Sequence, residues 1–462
     1  MFMESAAADI ARRLETDFIF GTATSSWQIE GNSHSRGASI WDDFASLPGK
    51  IKDGATSDPA CDHINKWRED VDLLSWLGVD SYRFSFSWPR IQPGGQGEVS
   101  RQGLAFYDQL IDELLARQIE PNATIYHWDL PSELGAKGGW VWDGIADAFS
   151  QYTEILASKF SDRISRWATL NEPWCSAFLG YADTVHAPGA GNAAQGFEAA
   201  YRLLLAHGRS VEVLRSHGAK ELGIVLNLTE VIGEDPEIAD AVKHIDGIQN
   251  RLWLDPLSGK GIPQDVMDRT SNFVDWSFVK QSELREISTP LDWLGINYYT
   301  PQRIGKPLMS GDGEVIGDSN NAYPGTPPIS FVPRMPQTQM GWEIAACSLM
   351  ATLLATAKSF PDAPLFITEN GGAFPDVDAD GKINDADRID YFAQHINAAL
   401  DAKDQGVNLQ GYFAWSLLDN IEWAEGWTKR FGIVHVDLET QIRTPKASAE
   451  FIRAILQNRK KS

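Results

Sequence analysis

Two apolar runs of this chain end on a glutamate. Residues 166–172, "RWATLNE", close on Asn171 and Glu172, and residues 363–370, "APLFITEN", present Glu369 and Asn370 before two glycines. One carboxyl group does little acid–base chemistry alone. Two that face each other are what cleavage of a glycosidic bond needs: one protonates the leaving oxygen, and the other attacks the anomeric carbon or activates a water. A gap of roughly 5–5.5 Å between them gives retention of configuration and about 6.5–9.5 Å gives inversion.

Other polar residues fall at the ends of similar runs. Gln28 follows "FIFGTA", Arg83 lies in "DSYRFSFSW", and His127 and Trp128 end "EPNATIYHW". Asn227 lies in "LGIVLNL" and Asn297 and Tyr299 in "LDWLGINYY", while Trp415 in "LQGYFAWSL" is followed by Glu422 and Trp423. Singly, each has an ordinary structural reading: Arg83 as an ion-pair partner, His127 as a core histidine, Asn171 as a cap. Together they would ring one mouth with hydrogen-bonding groups, two carboxylates and indoles, which suits a neutral, polyhydroxylated ligand with apolar ring faces, a sugar. No His/Cys cluster has metal-ligand spacing, so neither a metal nor another cofactor is expected.

These residues need elements to position them. The eight β-prone runs alternate with helical periodicities, such as Trp67, Val71, Leu74, Leu77 and Phe149, Tyr152, Leu156, Phe160. Further ones are Leu104, Tyr107, Ile111, Leu114, then Tyr201, Leu204, Gly208, Val211, and Ile389, Phe392, Ile396, Leu400. Alternation of this kind implies βαβ units and a parallel sheet. Eight units predict an α/β fold, a single (β/α)8 barrel domain over residues 1–462 with reactive groups at the C-terminal strand ends. A doubly wound sheet is the competitor, and no glycine-rich phosphate loop follows an early strand to favour it. At 462 residues the chain exceeds a minimal barrel of about 250. The Pro-, Gly-, Ser- and Asn-rich residues 300–340 are the expected insertion, read as a binding loop or lid.

Bulk properties narrow the partners. A formal charge of −23 argues against nucleic acid and anionic membranes. The first residues lack the apolar core of a secretory signal, and no stretch is long and apolar enough to span a bilayer. The three cysteines, Cys61, Cys175 and Cys347, are widely spaced, and each reads as a small buried hydrophobe in a reducing cytoplasm.

From "FIFGTATSSWQIEG" to "RFGIVHVD", through "ATIYHWDLP", "TLNEPW", "LGINYY", "FITENGG" and "FAWSLLDNIEWAEGWTKRFGIV", the chain closely resembles glycoside hydrolase family 1. The resemblance implies a retaining, exo-acting β-glucosidase with β-galactosidase or β-fucosidase side activity. It makes Glu369 the nucleophile and Glu172 the acid/base. Gln28, His127, Asn171, Glu422 and Trp423 would hold sugar hydroxyls above a Trp415 platform. Tyr299 and Arg83 would touch the nucleophile and favour its charged form, Asn297 would lie beside them, Asn227 would support the site, and Trp342 would line the leaving-group side. Members that cleave 6-phosphorylated sugars tend to carry serine where this chain has Glu422, and a lysine like Lys429 occurs in both groups, so unphosphorylated glucosides are expected. Trp427 and Ile421 depart from the Tyr and Phe frequent in the family and bear on preference, not reaction class. The expected partner is a small β-glucoside or oligosaccharide, and a homo-oligomer is compatible with this reading. The alternatives are a 6-phospho-β-glycosidase, a transglycosidase and a non-catalytic sugar-binding relative.

Overall fold

Eight strands close into a parallel barrel: β1 (Ile19–Ala23), β2 (Ser81–Ser85), β3 (Glu120–Tyr126), β4 (Arg166–Asn171), β5 (Leu222–Leu226), β6 (Trp293–Asn297), β7 (Leu365–Asn370) and β8 (Leu409–Trp415). The computed structural model describes residues 2–310, 315–316, 321–379 and 382–459. Neighbours in sequence are neighbours in the ring, and β1 pairs with both β2 and β8 to complete it. Every residue of β2, β4, β5, β6 and β7 is buried. Such strands have the barrel interior on one face and helices on the other, so they read as continuous apolar runs.

The long helices are α1 (Phe2–Arg13), α2 (His63–Leu77), α3 (Arg101–Ala116), α4 (Ile145–Phe160), α5 (Ala193–Ser216), α6 (Ala346–Ser359), α7 (Ala386–Asp404) and α8 (Ala447–Arg459). The predicted faces of α2 and α4 are buried, as is that of α3 except for the half-buried Leu104. Local signals set the ends. The Ser100 hydroxyl accepts from the Gly103 amide to start α3, the Asn192 side chain accepts from Ala194 and Gln195 to start α5, and α2 stops at Gly78 with φ 76°. A separate cluster of Ala168, Val225, Trp293, Phe366 and Phe413 fills the barrel interior. The Arg166 guanidinium lies 4.3 Å over the Phe366 ring there.

The described residues of 300–340 form more strand pairing than their composition predicts. Strand Gln302–Gly305 pairs with both Val231–Gly233 and Ser330–Phe331, and Leu308–Met309 pairs with Val315–Ile316. Arg303 clamps this insertion by ion pairs to Glu343 and Glu234. Residues 311–314 and 317–320 of that stretch lie outside the described residues. One cysteine expectation fails: Cys61 and Cys175 are buried, but Cys347, in the first turn of α6, is exposed. No described helix is long and apolar enough to cross a membrane.

Candidate active site

At the C-terminal ends of the strands lies a cavity of about 410 Å³ that contains Glu172, Glu369 and Glu422 among its lining groups. The sequence around each carboxyl explains its placement. Glu172 follows β4 with φ 44°, in the left-handed region that non-glycine residues seldom occupy. That turn carries the chain from the strand into a wide-turned π-helix, Cys175–Ala182. Glu369 pairs with Asn297 of β6 across a register irregularity after Ile367. Next to it, Asn370 is bonded on both sides of its amide: Nδ2 donates to the Tyr298 carbonyl and Oδ1 accepts from the Tyr412 hydroxyl. Gly371 then passes so close to β8 that a Cβ on it would stand 1.9 Å from the Trp415 carbonyl oxygen. Trp128 (φ 77°) and Trp423 (φ 49°) share the strained backbone of Glu172, and all three line the cavity. Backbone strain of this kind persists where the surroundings over-determine it, often at functional sites.

One hydrogen-bond network joins the carboxyls. Arg83 donates from Nη1 to Glu369 Oε1 and from Nη2 to Asn171 Oδ1, both at 2.6 Å. The Tyr299 hydroxyl donates to Glu369 Oε2 at 2.7 Å. Asn297 Nδ2 donates to Glu172 Oε1 at 2.8 Å and to Asn171 Oδ1 at 3.0 Å, and its own oxygen accepts from the Thr368 hydroxyl at 2.7 Å. Because Asn171 Oδ1 already accepts twice, its nitrogen is fixed as a donor, and it faces His127 Nε2 at 3.0 Å. His127 is thereby a neutral ring with Nδ1 as its N–H, and that atom has no protein partner among the described residues. Burial and the Arg83 charge both hold His127 well below the usual histidine range.

The sequence places the remaining predicted residues in or against the same cavity. Trp415, Glu422, Trp423, Asn227, Tyr299 and Trp342 line it. Gln28, Arg83 and Asn171 stand behind the lining. Gln28 is fully buried against Glu422, donating to Asn420 Oδ1 and the Ile421 carbonyl. Trp423 stacks on Trp27 at 5.5 Å and 7°, and His127 stacks on Trp415 at 5.9 Å. Residues 10–461 match the family model for glycosyl hydrolase family 1. The chain belongs to glycosyl hydrolase family 1. It is 42% identical to Beta-glucosidase A of Thermotoga maritima over 97% of this chain and 98% of that protein. It is 41% identical to the bifunctional beta-D-glucosidase/beta-D-fucosidase of Bifidobacterium breve, over 95% and 97%. A solved structure of the Thermotoga maritima beta-glucosidase in complex with noeuromycin superposes with a TM-score of 0.89, at 41% identity over 96% of this chain and 99% of that one.

The electrostatics of this glycoside hydrolase separate its carboxyls. Burial is the largest influence on Glu172, Glu369 and Glu422, and it pushes all three upward. Glu172 is driven further up by the charge of Glu369, whereas Glu369 is restrained by Arg83, Tyr299 and Asn297. The sequence reading that Arg83 and Tyr299 favour the charged form of Glu369 names the right partners but leaves out burial, which outweighs them. Of the pair, these surroundings favour the charged form at Glu369 over that at Glu172. Glu422 is pushed up to about 8, and its Oε2 is enclosed without a protein partner among the described residues.

Sequence reasoning missed Cys175, whose thiol donates to Glu172 Oε2 at 3.3 Å, and the wall formed by Trp174, His186, Thr229 and Gln249. The "W-C" after "NEP" was the only available signal, and a buried cysteine usually means packing. Elsewhere, Asp376, Asp419 and His435 lie close enough together to ligate an ion, but Lys446 Nζ already stands 2.8 Å from both aspartates. That ammonium occupies the place a metal would take.

Proposed function

We propose that this family 1 hydrolase is a retaining, exo-acting β-glucosidase, releasing terminal non-reducing β-D-glucosyl residues by double displacement, with β-fucosides and β-galactosides as secondary substrates. The observation that carries the reading is a pair of buried carboxyls in one hydrogen-bond network with unlike partners: Arg83 and Tyr299 bond Glu369, Asn297 bonds Glu172, and Arg83 and Asn297 meet on Asn171 Oδ1. Two bonding side chains that meet on one oxygen keep the carboxyls close, which favours the short gap of about 5–5.5 Å that leaves no room for an inverting water. The activities for which the relatives are named, beta-glucosidase and beta-D-fucosidase, support the sugar.

In this reading Glu369, held by Arg83 and Tyr299, attacks the anomeric carbon while Glu172 gives its proton to the leaving oxygen. Glycosylation removes the Glu369 charge, so Glu172 loses the influence that raised it and serves as base toward water. His127 Nδ1 and Glu422 Oε2, without protein partners among the described residues, are suited to sugar hydroxyls, with Trp415 beneath the ring and Gln28, Asn171 and Trp423 completing the hold. A 6-phospho-glycosidase would need a cation beside Glu422. Lys429 instead donates to the Gln339 carbonyl at 2.6 Å. Both carboxyls are present, which speaks against a non-catalytic relative, and product analysis with added alcohol separates a transglycosidase.

The test is hydrolysis of an aryl β-glucoside beside its 6-phosphate, followed by proton NMR. The free glucoside should be cleaved with β-glucose appearing first. α-Glucose first would refute double displacement, and activity confined to the phosphate would refute the role of Glu422. Glu369→Ala should abolish turnover and yield an α-glucosyl azide when azide is added. Glu172→Ala should cost about 10²–10⁴-fold on poor leaving groups and far less on activated aryl glucosides. Equal losses on both would take the acid role away from Glu172.

A further inference from the structure

The cavity has a closed end and an open rim. Glu369 is 3% exposed and Glu172 6%, whereas Val185 is 46% exposed and Leu179, Met340 and Trp342 of the same lining are half-buried. Resting on the glucosidase reading, a glucosyl ring seated at the carboxyls must direct its leaving group toward that rim. What the rim can bond therefore decides which leaving groups it favours.

Three of the polar side chains on this side are engaged within the protein. Gln249 uses both ends of its amide: Nε2 donates to the Asn227 carbonyl at 2.6 Å, and Oε1 accepts from the Tyr323 hydroxyl at 2.5 Å. The Thr229 hydroxyl donates to the Thr300 carbonyl at 2.5 Å. Asn227 turns its Nδ2 to Cys175 Sγ at 3.7 Å. The apolar groups, in contrast, face inward on a firm backing. Trp342 packs against Tyr299 at 5.4 Å and Phe431 at 6.0 Å, and Trp174 against Tyr323 at 5.4 Å. A second sugar entering here would lose water from several hydroxyls and meet three side chains that are already engaged, which is costly. An alkyl or aryl group needs no partners and gains from leaving water.

We propose that the leaving-group side of this cavity selects apolar aglycones, alkyl or aryl alcohols joined to glucose, over a second sugar unit. Leu179, Val185, Met340, Trp174 and Trp342 form the selecting surface.

The test compares kcat/KM for methyl β-D-glucoside, octyl β-D-glucoside and cellobiose. Methyl and octyl glucosides break the same kind of bond, so their ratio isolates the rim. The expected result is a rise on the order of tenfold or more from methyl to octyl, with octyl above cellobiose. Leu179→Asn should reduce the octyl-to-methyl ratio several-fold. A flat methyl-to-octyl comparison, or cellobiose cleaved in preference to octyl glucoside, overturns the inference while leaving the glucosidase reading intact. Cleavage of none of the three overturns both.

Discussion

Glu172 and Glu369 have the same side chain and nearly the same burial, so what distinguishes them is the group against each oxygen. Glu369 has a guanidinium and a phenol; Glu172 has an amide and a thiol. The thiol is the weakest of the four donors, and it is also able to rotate and accept. It suits a carboxyl that must be an acid in one step and a base in the next. Because the S–H stabilises the ionised form, its removal raises the Glu172 pKa. Cys175→Val should therefore move the alkaline limb of the kcat/KM profile upward by roughly half a unit, equivalent to about 0.7 kcal/mol. An unmoved limb in a folded variant would mean that the contact is mere packing. At this scale the sequence is informative where a residue type is rare for its place, as with glutamate ending an apolar strand. It is silent where the type is ordinary, as with Cys175.

Among the elements, the junction of β7 and β8 carries the tightest constraint. Gly371 lies against the Trp415 carbonyl, so the strands that carry Glu369 and Trp415 approach closely at their C-terminal ends. Gly371→Ala has no side-chain rotamer with which to escape. It should cost about 1–3 kcal/mol in denaturant unfolding and reduce kcat at least tenfold, because Glu369 and Trp415 move together. Wild-type kinetics in that variant would mean the two strands can part without consequence. The barrel strands and α2, α3, α4, α5 and α7 were legible because burial on one or both faces imposes a period on the sequence. The small strands of residues 300–340 were not, since they are too short for a period and are held by pairing with Val231–Gly233, a segment distant in sequence. Of the rim, the sequence pointed only to Trp342, through the family resemblance; Leu179, Val185 and Met340 carry no periodic signal.

Over the whole molecule, an ionic cluster holds Lys446, at the start of α8, against the loops that follow β7 and β8. Asp376 and Asp419 share Lys446; Arg388 bonds Asp376 and Asp385; Arg430 reaches Asp419; and His435 faces both Asp376 and Asp419. Contact with the two aspartates raises His435 to about 9, while Asp376 and Asp419 are held below the usual carboxylate range despite their burial. The histidine's contribution is fully present below its unfolded value of about 6.5 and is lost as pH rises through about 9. The aspartates contribute above about 3.9 and lose that contribution as pH falls through their lower folded values. Thermal stability should thus decline between pH 6.5 and 9, and His435→Asn should flatten that decline. The variant would refute the linkage if its melting temperature fell with pH as steeply as the parent's.

Ring closure has a consequence in time. The strand at residues 19–23 is made early and finds its second neighbour only in residues 411–415. During synthesis the first strand must wait through most of the chain with one edge unpaired, exposed to any other strand it meets. Site residues come from strands along the whole ring, so no shorter nascent chain holds a pocket. The appearance of activity during translation would report the arrival of the final strand.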